Sequence, residues 1–325
     1  MYKPIDAQTW KGRVDAADGE LGLRWHQMMQ LLRLSPEQEL PQVAPGRCGF
    51  AFLGFCCDEG VRRNQGRVGA ASAPPLIRQA MASFANHLPS NASLADAGDV
   101  LVLNQYLEEA QVQLGKKVQA LQEHGYKTIV LGGGHETAYG HFLGLQSALE
   151  EEETLGIINF DAHFDLRSYS NQPSSGTPFL QIADALEKQN KDFNYLCLGI
   201  QEYGNTRALF NTAQNLCAEY VLAQDLHAIN AEALKSQIQT FLSKIDKVYV
   251  SIDLDVFAAA YAPGVSAPAA MGVQPDIVLL LLQDIMKSEK VLSLDVVELN
   301  PQFDIDSRTA KLAASLIYHS IMNWR

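Results

Sequence analysis

LGIINFDAHFD, residues 155–165, decides the fold. Leu155 to Phe160 form a nearly unbroken apolar run that stops at Asp161-Ala162-His163-Phe164-Asp165. A strand with one wet face alternates, whereas a continuously apolar strand is covered on both faces, as in a parallel sheet. Working outward, the same texture recurs at CGFAFLGFC (48–56), KTIVLGGG (127–134), FNYLCLGI (193–200), AEYVL (218–222), KVYVSIDLDV (247–256) and VLSLDVVEL (291–299). Helix-length stretches near 72–86, 105–124, 137–149, 179–189, 230–244 and 275–287 lie between these runs. A last helix near 307–321 starts at the cap residue Ser307 and buries Ala313, Leu316, Ile317 and Ile321. Strand alternating with helix predicts a three-layer α/β/α domain with a mainly parallel central sheet. No repeat or linker divides residues 1–325, so one domain is expected, with about 1–45 as an irregular or helical extension packed on it.

Composition narrows the function classes. The chain has 325 residues, 47% hydrophobic and 19% charged, which is ordinary for a soluble globular protein. No run of about 18 apolar residues appears, so no membrane span is expected. The first twenty residues carry acid and no apolar signal region, which predicts a cytoplasmic protein. A formal charge of −12 argues against nucleic acid and anionic membrane as partners. Five cysteines, Cys48, Cys56, Cys57, Cys197 and Cys217, follow no framework spacing and read as buried free thiols in a reducing compartment. The oligomeric state is left open, a homo-oligomer included.

Three of the strands end in acid and histidine: Gly132-Gly133-Gly134-His135-Glu136, Asp161-Ala162-His163-Phe164-Asp165 and Asp253-Leu254-Asp255. Open α/β sheets place their chemistry at the carboxyl ends of their strands. If the backbone stays extended there, residues two apart point the same way and converge. A lone Asp-x-Asp or a histidine after glycines is commonly structural; the three motifs together at one sheet edge are not. Four buried carboxylates would repel or take up protons, and two divalent cations balance them. Oxygen donors with two imidazoles and no thiolate suit Mn²⁺. A pair of such ions generates a hydroxide nucleophile near neutral pH.

The sequence resembles the ureohydrolase (arginase and agmatinase) family through GFCCDEGVRRNQGRVGAASAPPLIR (54–78), GGGHE (132–136), NFDAHFD (159–165), SIDLDVF (251–257), APGVSAPAAMG (262–272) and DVVELNPQFD (295–304). The resemblance implies an arginase-like fold and two Mn²⁺ per subunit. It implies that His135, Asp161, Asp165 and Asp253 hold one ion, and that Asp161, His163, Asp253 and Asp255 hold the other. It further implies catalytic roles for Asp165, as proton carrier, and for Glu298, as the group that orients the amidine or guanidine carbon. Agmatinase-like members carry a histidine where this chain has Ser175, in Ser175-Gly176-Thr177-Pro178-Phe179. A hydroxyl cannot titrate near neutrality. That departure, with GFCCDEGV and FDAHFDLR, makes the chain most similar to the formimidoylglutamase subgroup, which acts in histidine degradation. The implied reaction is hydrolysis of N-formimidoyl-L-glutamate to L-glutamate and formamide. Such an anionic amidine needs cations near the site; Arg63, Arg67 and Arg167 are the candidates, with Asn64, Ser175 and Thr177 as neutral partners. Arg78 reads as structural. The alternatives are another ureohydrolase that releases urea, a two-metal phosphoesterase, and a catalytically silent metal-binding module.

Overall fold

The computed structural model describes residues 1–35, 38–170 and 172–325. Among the described residues ten strands form one sheet: β1 (Tyr2–Lys3), β2 (Gln30–Leu31), β3 (Cys48–Cys56), β4 (Ala92–Leu101), β5 (Tyr126–Leu131), β6 (Leu155–Phe160), β7 (Asn194–Ile200), β8 (Glu219–Leu222), β9 (Lys247–Asp253) and β10 (Val291–Val297). Their order is β1-β4-β3-β5-β10-β9-β6-β7-β8, with β2 also paired to β4. Every pairing is parallel except that of β1 with β4.

Helices cover both faces. On one face lie α1 (Trp25–Met28), α3 (Ala73–Ala82), α8 (Ala231–Leu242), α9 (Pro275–Met286) and α10 (Arg308–Asn323). The other carries α4 (Leu107–Glu123), α5 (Thr137–Ala148), α6 (Pro178–Glu187) and α7 (Arg207–Asn215), while α2 (Glu59–Arg63) follows β3. Each face has its own apolar layer, with Leu131, Val296, Ile252, Phe160 and Leu198 aligned across five strands on the first. This is the expected three-layer sandwich. Among the described residues no helix is long and apolar enough to cross a membrane.

Topology places the site. The chain leaves β5 and re-enters at β6, and β10 and β9 later fill the gap between them. Four neighbouring strands therefore deliver His135, Glu298, Asp253 and Asp161 to one edge of the sheet.

Several elements differ from the expectation. β4 went unread because ASLADAGDVL carries Asp96, Gly98 and Asp99. The fully buried Arg78 explains how it is buried: its guanidinium donates to Asp96 (2.7 and 3.0 Å), Asp99 (2.6 Å) and Gly98 O (2.9 Å). The N-terminal stretch is not wholly helical or irregular, since β1 and β2 extend the sheet. α7, also unread, is short and buries only Leu209 and Ala213. Ser307 does not cap α10, for its φ is 54° and its side chain makes no cap bond. Asp304 caps it instead, accepting from Thr309 N (2.9 Å) and Ala310 N (3.1 Å). Finally, the five free cysteines are not all buried: Cys217 is exposed.

Candidate metal centre

The two acidic motifs do not run on as extended strand. β6 ends at Phe160 and β9 at Asp253. Asp161 Oδ1 then accepts from His163 N (2.7 Å), and Asp253 Oδ1 accepts from Asp255 N (2.8 Å). Each aspartate thus closes a turn with one carboxylate oxygen, the habit of aspartate after a strand, and turns the other, Oδ2, toward His135; Asp161 Oδ2 also accepts from Asn159 Nδ2 (3.0 Å). The convergence expected from a period of two is produced by these turns. Asp165 and Glu298 go further, with φ of 49° and 68° in the left-handed region. Non-glycine residues there are strained and concentrate at functional sites.

His135 is the meeting point. Asp161 Oδ2, Asp165 Oδ2 and Asp253 Oδ2 stand 3.1, 3.1 and 3.0 Å from its Nδ1. Despite these distances, Nδ1 is buried and makes no hydrogen bond among the described residues. A nitrogen ringed by three carboxylate oxygens without hydrogen-bond geometry is what a cation-binding donor set looks like. A second group lies beside it, where His163 Nδ1 is 3.1 Å from Asp255 Oδ2 and 3.5 Å from Asp161 Oδ1. His135, Asp161 and Asp253, and separately Asp161, His163 and Asp255, each have ligand atoms close enough to share one ion. The donor chemistry, oxygens plus two imidazoles, fits Mn²⁺.

The electrostatics carry the same mark. Burial opposes charge on His135, but the carboxylates of Asp161, Asp165 and Asp253 gathered around Nδ1 outweigh that and hold its pKa well above the usual histidine value. Burial likewise opposes charge on His163, and Asp255 and Asp161 outweigh it. Burial and then the charges of Asp255 and Asp161 push Asp253 well up; burial and Asp161 also raise Asp165. Asp161 moves the other way, because His135 and His163 together overcome its burial. Glu298 is pushed up to about 8, first by burial and then by Glu136. Its Oε1 accepts from His135 N (2.7 Å), and its Oε2 is buried without a partner among the described residues.

The arginase family model matches residues 48–322, most of the chain. The chain belongs to the arginase family. Among its relatives, a formimidoylglutamase of Geobacillus thermodenitrificans is 46% identical over 326 residues, spanning 100% of this chain and 98% of the relative. Another, from Chromobacterium violaceum, is 49% identical over 314 residues, with 97% of each chain covered. Among solved structures, a variant of Trypanosoma cruzi formiminoglutamase with Mn²⁺ (Mn2+2) superposes with a TM-score of 0.75 at 25% identity, covering 87% of this chain and 97% of that one. The three-layer sandwich is therefore the arginase-like fold.

In this arginase-family chain a cavity of about 180 Å³ opens over the cluster. Asn64, Arg167 and Ser175 line it, together with Asp165 and Glu298. Arg63, Arg67 and Thr177, expected at the substrate, are not among the residues that line this cavity, and their polar groups have other partners. Arg63 pairs with Glu59 (2.9 Å) and Glu108 (2.6 Å) and donates to Pro173 O. Arg67 donates to Val265 O (2.5 Å) and Ser266 O (3.1 Å) and lies 3.9 Å over the Phe303 ring. Thr177 Oγ1 accepts from Ser174 N (2.9 Å) within its own turn. All three fasten loops that shape the cavity.

Two residues that the sequence reading passed over support the cluster. Asn205 accepts from Phe164 N (3.1 Å) and donates to Ala162 O (2.9 Å) and Gln201 O (2.8 Å), which fixes the turn carrying His163 and Asp165. Glu136 accepts from Gly60 N and the Cys57 thiol, both at 3.0 Å, and ties the His135 loop to α2. Glu136 lies inside the motif 132–136 without a role assigned to it from sequence, and Asn205 carries no signal beyond being polar.

Proposed function

We propose that this arginase-family hydrolase converts N-formimidoyl-L-glutamate and water to L-glutamate and formamide, with two Mn²⁺ per subunit. The observation that carries the chemistry is the convergence of three carboxylate oxygens on the partnerless His135 Nδ1. The substrate is supported by similarity to formimidoylglutamases over essentially the whole chain. His135, Asp161, Asp165 and Asp253 would hold one ion, and Asp161, His163, Asp253 and Asp255 the other, with Asp161 and Asp253 shared. When bound, the two ions supply Lewis acidity and lower the pKa of water towards neutrality.

The chain's own groups do the rest. Glu298 presents its free Oε2 to the amidine N–H and holds the formimidoyl carbon over the cluster by a charge-assisted hydrogen bond. Water adds to that carbon, the bond to the α-nitrogen of glutamate breaks, and that nitrogen takes up a proton. Asp165 delivers it: burial and the neighbouring Asp161 raise its proton affinity, and Ser175 has no proton to exchange near neutrality. Arg167, with no ion pair among the described residues, meets a substrate carboxylate at the cavity wall, and Asn64 and Ser175 add neutral hydrogen bonds. Five unpaired cysteines suit a reducing compartment, the cytoplasm.

Product analysis is the test. Manganese-loaded protein offered formimidoylglutamate, agmatine and arginine side by side should release formamide from the first and little or no urea from the others. Urea as the main product would replace this reading with that of a guanidine hydrolase.

A further inference from the structure

Beneath the cluster the centre of the sheet is polar where its neighbours are apolar. Asn159, Ser251 and Asp295 stand at one level across β6, β9 and β10, and Tyr249 and Ser293 lie one pleat below on β9 and β10. All five are buried, as is His141, which reaches this column from α5. Asp295 takes donors on both oxygens. Ser251 Oγ donates to Oδ1 (2.6 Å), while Tyr249 OH and His141 Nδ1 (2.8 Å) meet Oδ2.

The direction of these bonds fixes a proton two residues away. His135 Nε2 lies 3.0 Å from Ser251 Oγ. A serine hydroxyl has one hydrogen, and that of Ser251 is committed to Asp295. Ser251 can therefore only accept from His135, so Nε2 carries the hydrogen. The exchangeable position is Nδ1, the atom that three carboxylates surround.

We propose that Asp295, acting through Ser251, is a positioning device: it holds His135 as the Nε2–H tautomer, so that Nδ1 offers its lone pair to a metal ion. The inference rests on the two-ion reading above. Hydrogen-bond partners of ligand histidines set ring orientation and basicity, and losing them costs roughly 10–100-fold in metal affinity.

The test is Mn²⁺ titration of metal-free protein, followed by calorimetry and by the electron paramagnetic resonance of the bound ions. Wild type should take up two ions with the spectrum of an exchange-coupled pair. Ser251→Ala should bind the His163-side ion normally and the other about 10–100-fold more weakly. At limiting Mn²⁺ its spectrum should be that of isolated ions. Ser251→Thr, which keeps the hydroxyl, should restore the pair. Tyr249→Phe removes a bond to the other oxygen of the Asp295 carboxylate and should leave both affinities within about twofold. Ser251→Cys, a weak acceptor of similar size, gives the same reading should the alanine variant not fold. Wild-type affinity in both Ser251→Ala and Ser251→Cys overturns the proposal, as does equal weakening by Tyr249→Phe. A wild-type chain that binds fewer than two ions overturns the two-ion reading itself.

Discussion

Gly133 sits where three strand ends meet, and replacing it with alanine tests whether that junction holds the active geometry. A Cβ built there would lie 1.7 Å from Cys57 O, 2.7 Å from Cys57 C and 2.9 Å from Cys57 N. An ordinary contact between carbon and a carbonyl oxygen is about 3.3 Å, so one backbone must retreat by about 1.6 Å. Neither side is free to move. Cys57 O accepts from Gly134 N (3.0 Å), and Gly133 O accepts from Glu298 N (2.7 Å). Overpacking costs about 1–3 kcal/mol, and each of the two disturbed backbone bonds about 1 kcal/mol more. The expected loss for Gly133→Ala is therefore about 3–5 kcal/mol. Because Glu298 hangs from Gly133 O, its carboxylate should shift by about an ångström, which costs roughly 100-fold in turnover. Urea unfolding of the manganese-loaded protein measures the first quantity and steady-state formamide release the second. Gly132→Ala is the comparison: its Cβ would meet side-chain atoms, Val297 Cγ1 at 2.6 Å and Thr137 Oγ1 at 2.9 Å, which can yield. If Gly133→Ala stays within about 1 kcal/mol of wild type and keeps turnover within about threefold, the junction does not position Glu298 and the reasoning fails.

Arg167→Gln should raise KM for formimidoylglutamate by at least about tenfold, the loss of one charge-assisted contact, and change kcat little. An unchanged KM would remove Arg167 from the carboxylate role. Proton release should accompany metal binding. The pKa of His135 and of His163 is raised in the metal-free fold, so their protons stabilise that fold at low pH and that contribution fades as pH rises through the raised values. Mn²⁺ competes for the same nitrogens, so its affinity should rise from pH 6 to pH 8. Calorimetry in buffers of different ionisation enthalpy should count about one or more protons displaced near neutrality. A flat affinity with no proton released would contradict the ligand assignment of the two histidines.

Much of this molecule is legible in one dimension. The unbroken apolar runs at 48–56, 155–160 and 247–253 could belong only to strands covered on both faces, and they place acid and histidine at their ends. That is local information: burial on both sides leaves a composition, and a ligand motif leaves a spacing. β4 stayed hidden because its charges are neutralised by Arg78, which is distant in the chain. The same limit governs the site. Arg63, Arg167 and Arg67 look alike in sequence, yet Glu59 and Glu108 occupy the first, the loop carbonyls at 265–266 hold the third, and only Arg167 reaches the cavity wall.

The sequence by itself determined the three-layer fold and which six residues carry acid and imidazole to the strand ends. Tertiary structure alone decided how they meet: strand order sets β5, β10, β9 and β6 side by side, and turns rather than extended chain aim the carboxylates. It alone also decided what stands behind them, from the strained backbone of Asp165 and Glu298 to the Asp295–Ser251 link to His135. The physical reason is one of range. Hydrophobic periodicity is written in neighbouring residues, whereas a hydrogen bond between residues 116 positions apart, as His135 and Ser251 are, exists only once the sheet has formed.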